Sequence, residues 1–261
     1  ALARGTEMLR ATLFMLGLML LNSVQAQPLR IAMEGQFPPF EEVDANGQLR
    51  GFNVDIAHAL CQVMAADCQL VRFAWDDLIP ALNEQRADLI LASMSITAQR
   101  AERVDFTAKY AQTPAFFFAR KGLVNQVIVT PRRIAGKRLG VQRDTTYDRF
   151  LTDKYQQHTE VLRFDSAEGM YQALGAGRVD LVLDDAVSGY FGFLDTAQGQ
   201  GFEQVGNKVV APKHFGKGQG IAVRKGDHVL RERLDRALSV ILSNGVYKRI
   251  EKQYFKQFTV Y

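Results

Sequence analysis

From residue 29 onward, short apolar runs alternate with stretches whose apolar residues recur three and four apart. Leu29–Met33 reads as a buried strand. Val54–Ala66 carries Val54, Ala57, Leu60, Cys61 and Met64 at helical spacing. Gln69–Phe73 is a second strand, Leu78–Glu84 a short helix and Asp88–Ala92 a third strand. This alternation predicts a mainly parallel sheet with crossover helices. The pattern then restarts, with Arg138–Val141 extended, Tyr147–Gln156 helical, Glu160–Phe164 extended, Ala167–Leu174 helical and Asp180–Leu183 extended. The expected fold class is α/β in two lobes, each a mainly parallel sheet flanked by helices. Asp227–Leu242 closes the chain as an amphipathic helix, with Leu230, Leu234, Ala237, Leu238 and Ile241 on one face. Asn244-Gly245 stops it, and a last helix runs from Val246 to Phe255. This tail is expected to pack on the first lobe, which requires two chain crossings between lobes.

An internal similarity supports the division. Residues 81–92, ALNEQRADLILA, and 173–184, ALGAGRVDLVLD, agree at six of twelve positions. Each reads as the end of a helix, a tight turn and a buried strand. Common turn chemistry would also favour such residues. Either way, these strands deliver Ser93 and Asp184 to their carboxyl ends, where ligands of open parallel sheets bind.

Composition narrows the class. The chain has 261 residues, 47% hydrophobic and 23% charged, enough for two globular lobes. The 32 Lys and Arg against 28 Asp and Glu leave a net charge of +4, scattered rather than clustered. No nucleic-acid partner follows from such a distribution. Residues 1–26 read as a secretory leader. Arg4 and Arg10 precede the apolar stretch Ala11–Leu21, and Val24-Gln25-Ala26 supplies a cleavage site near Ala26. The apolar stretch covers about half of the roughly 20 residues a bilayer crossing needs. Cys61 and Cys68 are the two cysteines. Export to an oxidising compartment favours a disulfide between them. A metal pair would lack further Cys or His ligands nearby, so neither metal nor cofactor is expected.

Candidate chemistry clusters where predicted strands end. In Ser93-Met94-Ser95-Ile96-Thr97-Ala98-Gln99-Arg100, Thr97 is a plausible N-cap and Arg100 lies in the first turn. A helix start and a bidentate guanidinium together suit a carboxylate, although a capped helix with an exposed Arg fits the bare pattern equally well. Asp144-Thr145-Thr146-Tyr147 forms a second anion-friendly turn in the other half; such a pair is more often only a cap. Of Asp184 and Asp185, one is expected to serve an ammonium group and the other to cap a helix, and the strand end favours Asp184 as the ligand acid. Glu34, after the first strand, can face a cationic side chain, and Phe37 can stack on it. Trp75 offers an opposite wall. Core packing is the plain alternative for these aromatics, and it is preferred for Phe40.

With these residues in place, the chain resembles the periplasmic solute-binding proteins of polar amino-acid ABC transporters (family 3), especially the lysine/arginine/ornithine and histidine group. The resemblance spans nearly all of the chain after the leader. It rests on Pro38-Pro39-Phe40-Glu41, Gly47 with Gly51-Phe52-Asn53-Val54-Asp55, the Cys61/Cys68 pair, Leu78-Ile79-Pro80, Ser95-Ile96-Thr97 with Arg100, Asp105-Phe106-Thr107, Gly175 to Asp180 and the closing Tyr254-Phe255. It implies a type II periplasmic binding protein-like fold. The implied first lobe is 27–113 plus 214–261 and the second 114–213, with crossings near Gln112-Thr113 and Lys213-His214.

The resemblance also implies a ligand set. Arg100 binds the α-carboxylate, aided by Thr146 and the Ser95 backbone. Ser93 and Asp184 bind the α-ammonium, Phe37 and Trp75 sandwich the side chain, and Glu34 pairs with a distal cation. Three departures stand out: Ala92 replaces a frequent serine, Glu34 is longer than the usual Asp, and Trp75 is bulkier than the usual Leu or Phe. Related opine binders also carry Glu-Gly at the first site, so an opine or another polar amino acid is the alternative ligand. The expected activity is capture of a cationic amino acid by lobe closure, as a monomer in the periplasm, for delivery to an inner-membrane permease. A dehydratase of the same fold is the rival class. His58, His158, His214 and His228 fall in no predicted cleft motif, and general acid–base work needs a group within reach of substrate. A fused sensor is not expected.

Overall fold

The structure is a computed structural model that describes residues 27–124, 128–256 and 258–261. The leader expected over residues 1–26 lies outside the described residues. The chain builds two five-stranded sheets of matching layout and a small antiparallel sheet of β2 (Gln36–Phe37), β3 (Glu41–Val43) and β4 (Leu49–Arg50). In the first, β1 (Leu29–Met33) is flanked by β5 (Cys68–Arg72) and β6 (Leu89–Ile90), both parallel to it. In the second, β9 (Arg138–Gln142) is flanked in the same way by β10 (Glu160–Phe164) and β11 (Leu181–Asp185). The expected elements all form, their ends displaced by one or two residues.

The two repeats of similar sequence adopt one turn, repeated. Arg86 and Arg178 donate backbone N–H groups to the carbonyls of Ala81 and Ala173. Gln85 and Gly177, between them, are left-handed at φ 61° and 70°. Asp88 and Asp180 then grip an arginine at the start of the neighbouring strand, the second residue of β1 and the first of β9. Each accepts from the backbone N–H and the guanidinium of its arginine, Arg30 or Arg138. The shared residues therefore fasten the helix-to-strand turn and aim both third strands at a common side.

Each sheet is mainly parallel, as expected, but mixed by one strand that runs against the other four. β13 (Gln219–Arg224) extends the first sheet antiparallel to β6, and β7 (Val104–Ala111) pairs antiparallel to β13 at the edge, so it runs with β6. β8 (Ala115–Arg120) extends the second antiparallel to β11, and β12 (Phe202–Val209) pairs antiparallel to β8 at the edge, so it runs with β11. These four are the strands that lead into and out of the crossings. Ala115, Phe117, Phe118 and Ala119 of β8 are all buried, so the strand has no polar face and no alternation to read.

The first crossing lies between Ala111 and Ala115 and contains Gln112-Thr113. The second differs from expectation. Lys213 and His214 sit inside a short helix, Pro212–Phe215, packed on the second lobe, where His214 meets Asp153 at 2.8 Å and Phe150 edge-on. The chain reaches the first lobe only at Gly216–Gly218. A Cβ at Gly216 would lie 2.0 Å from the Ile96 carbonyl oxygen, and Ile96 N donates to Gly218 O. The His228–Ser243 and Val246–Tyr254 helices pack their apolar faces into the first-lobe core, against the Phe52–Met64 helix. The Cys61–Cys68 disulfide joins that helix to β5.

Candidate functional site

The carboxyl ends of β1, β5, β6, β9 and β11 converge on one cavity between the lobes. Glu34 follows β1, Trp75 follows β5, Ser93 follows β6, Thr146 follows β9, and Asp184 lies in β11. Phe37, Ser95 and Arg100 complete the first-lobe wall, so all eight sequence-derived ligand candidates line this one space. The cavity is about 40 Å³, room for a few waters. Contacts across it hold the lobes together. Gln142 Nε2 donates to Glu34 Oε1 at 2.7 Å, and Trp75 Nε1 donates to the Asp144 carbonyl at 3.3 Å.

Arg100 is the cationic pole. Thr97 caps its short helix, the hydroxyl accepting from the Arg100 N–H. The guanidinium is buried beneath the Trp75 ring, 5.2 Å from the ring centre. Its N–H groups donate only to carbonyls, those of Ser95 at 3.1 Å and Asp144 at 3.5 Å. Among the described residues it forms no salt bridge. Burial, reinforced by Arg149, pulls the guanidinium down to about 9. A buried cation without a carboxylate is an anion receptor awaiting its partner. Opposite it, Thr145 caps the Thr146–Lys154 helix, as the bare pattern had suggested for that pair.

The anionic pole is built from buried carboxyls. Burial and the neighbouring Glu41 push the Glu34 carboxyl up to about 8. Burial and Asp185 raise Asp184 to about 7. Asp184 also accepts from the Tyr171 hydroxyl at 2.8 Å. Asp185 takes the capping role, accepting from the N–H groups of Val187 and Ser188. Glu41 and Asn53, known above only as parts of motifs, turn out to be supports. Glu41 accepts from the N–H groups of Glu34 and Gly35 and from the Asn53 amide, which also donates to Ser93 Oγ. The Tyr110 hydroxyl in turn accepts from the Ser93 N–H. Together they hold Ser93 at φ 52°, a left-handed conformation that a serine adopts only under constraint.

Gln142, Tyr147 and Gln219 also line the cavity; Tyr147 ends the anion-friendly turn that begins at Asp144, whereas Gln142 and Gln219 carried no motif. Gln142 is the last residue of β9, so the rule that strand ends build the site would have found it had that strand been extended by one residue. Gln219 offered no comparable signal. Phe40 is fully buried, as expected, and stacks on Phe37 at 5.3 Å. No histidine lines the cavity. Among the described residues no group of His, Cys, Asp and Glu could hold a metal ion.

The carboxyls set a pH dependence. Glu34, Asp184, Glu41 (about 7) and Asp185 (about 6) are all held above their ordinary values, burial being the largest cause in each. Between roughly pH 4 and 8 the folded protein therefore keeps protons that the unfolded chain has released. Stability then falls as pH rises through that window. The melting temperature of the unliganded protein is expected to decline from pH 5 to pH 8 and level off above it. A rise over the same interval in a thermal melt would contradict this electrostatic picture.

Comparison with known proteins places this geometry. The profile of the bacterial extracellular solute-binding proteins, family 3, matches residues 29–257. The L-arginine-binding protein of Pseudomonas aeruginosa is 42% identical over 237 residues, covering 90% of each chain. The histidine-binding periplasmic protein of Salmonella typhimurium is 33% identical over 237 residues, again covering 90% of each. Among solved structures, an ancestral arginine-binding protein bound to arginine matches with a TM-score of 0.79 and 31% identity, covering 87% of this chain and 98% of that one.

Proposed function

Because the chain belongs to the bacterial extracellular solute-binding proteins of family 3, we propose that it captures a free cationic amino acid, arginine foremost, between its lobes. One observation carries this reading: a buried guanidinium without an acid shares a cavity with buried carboxyls without a cation. An amino acid with a cationic side chain supplies both missing charges. Its carboxylate pairs with Arg100, beside the Thr146 helix start and the Ser95 backbone. Its α-ammonium meets Asp184 and Ser93. Its side chain lies between Phe37 and Trp75, and its distal cation displaces Gln142 from Glu34. Arginine is favoured because its planar head suits aromatic stacking and a bidentate carboxylate, and because an arginine-binding relative is 42% identical.

The cavity is too small for such a ligand in the closed arrangement described, so entry requires the lobes to part at the two crossings. Contacts from both lobes then favour reclosure around the ligand, linking occupancy to shape. The working lobes are 27–113 with 216–261, and 114–215. We place the protein in the periplasm as a monomer after cleavage near Ala26, presenting its closed form to an ABC permease of the inner membrane.

A thermal-shift panel tests the ligand class. L-arginine, L-ornithine, L-lysine and L-histidine should each raise the melting temperature, arginine the most, while L-glutamate should not. Equal shifts with glutamate, or none with the four cationic amino acids, would reject the proposal.

A further inference from the structure

Beside the ligand cavity lies a second, larger pocket of about 450 Å³ against the two crossings. Three residues belong to both walls: Ser95, Tyr147 and Gln219. Gln219 opens β13, just after the second crossing, and faces Ser95 across an isolated antiparallel bridge. Its side chain is nearly buried, at 6% exposure. Its Nε2 donates to Thr113 Oγ1 at 3.2 Å, and that hydroxyl donates onward to Asp185. Because the Thr113 hydroxyl gives its proton to a carboxylate, it can only accept from the amide. This fixes which end of the Gln219 amide is oxygen. The Oε1 atom that remains is buried and has no hydrogen-bond partner.

We infer that Gln219 is a further specificity-determining residue, whose Oε1 accepts a hydrogen bond from the α-ammonium of the bound ligand. The inference rests on the function proposed above. A primary ammonium carries three N–H groups and needs three acceptors when it is buried. Asp184 is already engaged, with Oδ2 accepting from Tyr171 and Oδ1 from its neighbour's backbone N–H. Ser93 Oγ accepts from Asn53. Gln219 belongs to this wall and its buried Oε1 has nothing to accept among the described residues; the residue lies next to Ser95 and one hydrogen-bond chain away from the cap adjoining Asp184. The same chain runs through Thr113 in the first crossing and Gln219 at the end of the second. An ammonium on Oε1 would thus tie the ligand to both hinge segments.

Calorimetric titration with two ligands tests the assignment: L-arginine, and 5-guanidinopentanoate, which is the same molecule without its α-amino group. Gln219→Met keeps the size of the side chain and removes the acceptor; Gln219→Leu serves if the methionine variant does not fold. The expected loss for arginine is about ten- to a hundredfold, with the affinity for 5-guanidinopentanoate changed less than threefold. Equal losses for both ligands, or no loss for arginine, would overturn the assignment and leave the proposed function standing. A parent protein that binds neither ligand would overturn the proposed function, and the assignment with it.

Discussion

Replacing Arg100 by methionine is expected to weaken arginine binding by a hundredfold or more while leaving the unliganded protein as stable as its parent, or more so. The two halves of this prediction share a cause. The guanidinium is 6% exposed, and its side-chain donors reach only two carbonyls. Its desolvation is therefore uncompensated until a carboxylate arrives. Removing one partner from a buried, hydrogen-bonded charge pair costs about 3–5 kcal/mol, and here that loss falls on the complex. The free protein instead sheds an unpaired buried charge and gains an apolar stem beneath Trp75. Calorimetry reads the first effect and a thermal melt the second. A variant that binds arginine as tightly as the parent would remove Arg100 from the site. A folded variant that melts far below the parent would recast it as a structural residue.

The second large effect is expected at Glu34. Glu34→Gln should erase the preference for arginine over citrulline, its neutral isostere, lowering arginine affinity about thirtyfold or more and leaving citrulline nearly unchanged. Glu34 sits at 5% exposure, held by Gln142, with the Arg72 side chain hydrogen-bonded to its backbone carbonyl rather than its carboxylate. With the carboxyl pushed up to about 8, binding a cation at pH 7 must draw the proton off it. Proton release on arginine binding, read as a dependence of binding enthalpy on buffer ionisation, should accordingly fall in Glu34→Gln to the smaller share released by Asp184, whose carboxyl stands at about 7. Citrulline and arginine discriminated equally by parent and variant would show that the distal cation is read elsewhere.

Why the site was so legible follows from where its residues stand. Glu34, Ser93 and Asp184 sit at the ends of apolar strands, and Arg100 follows a capping threonine, so local pattern alone locates them. Asp88 and Asp180 were legible as a repeat, and the structure gives the repeat its reason: each ties a turn to an arginine in the first two residues of the neighbouring strand. What stayed hidden depends on distant pairing. Gln219 reaches the cavity only because β13 returns from the second lobe to pair with β7 and bridge Ser95. No window of sequence around it carries that fact. The antiparallel strands were missed for a related reason, since Phe117 and Phe118 are buried on opposite faces and leave no period of two. Glu41 and Asn53 were visible as motif residues, yet only the hydrogen bonds that Glu41 accepts from Glu34 and Gly35, and the one that Asn53 donates to Ser93, separate support from contact.

The decisive observation is a crystal structure of the protein grown with L-arginine. The α-carboxylate should lie within hydrogen-bonding distance of the Arg100 guanidinium and the α-ammonium against Asp184, with the ligand guanidinium on Glu34 in place of the Gln142 amide. Density for arginine outside this cleft, or inside it with carboxylate and guanidinium exchanged, would contradict the charge complementarity from which the proposed function is drawn.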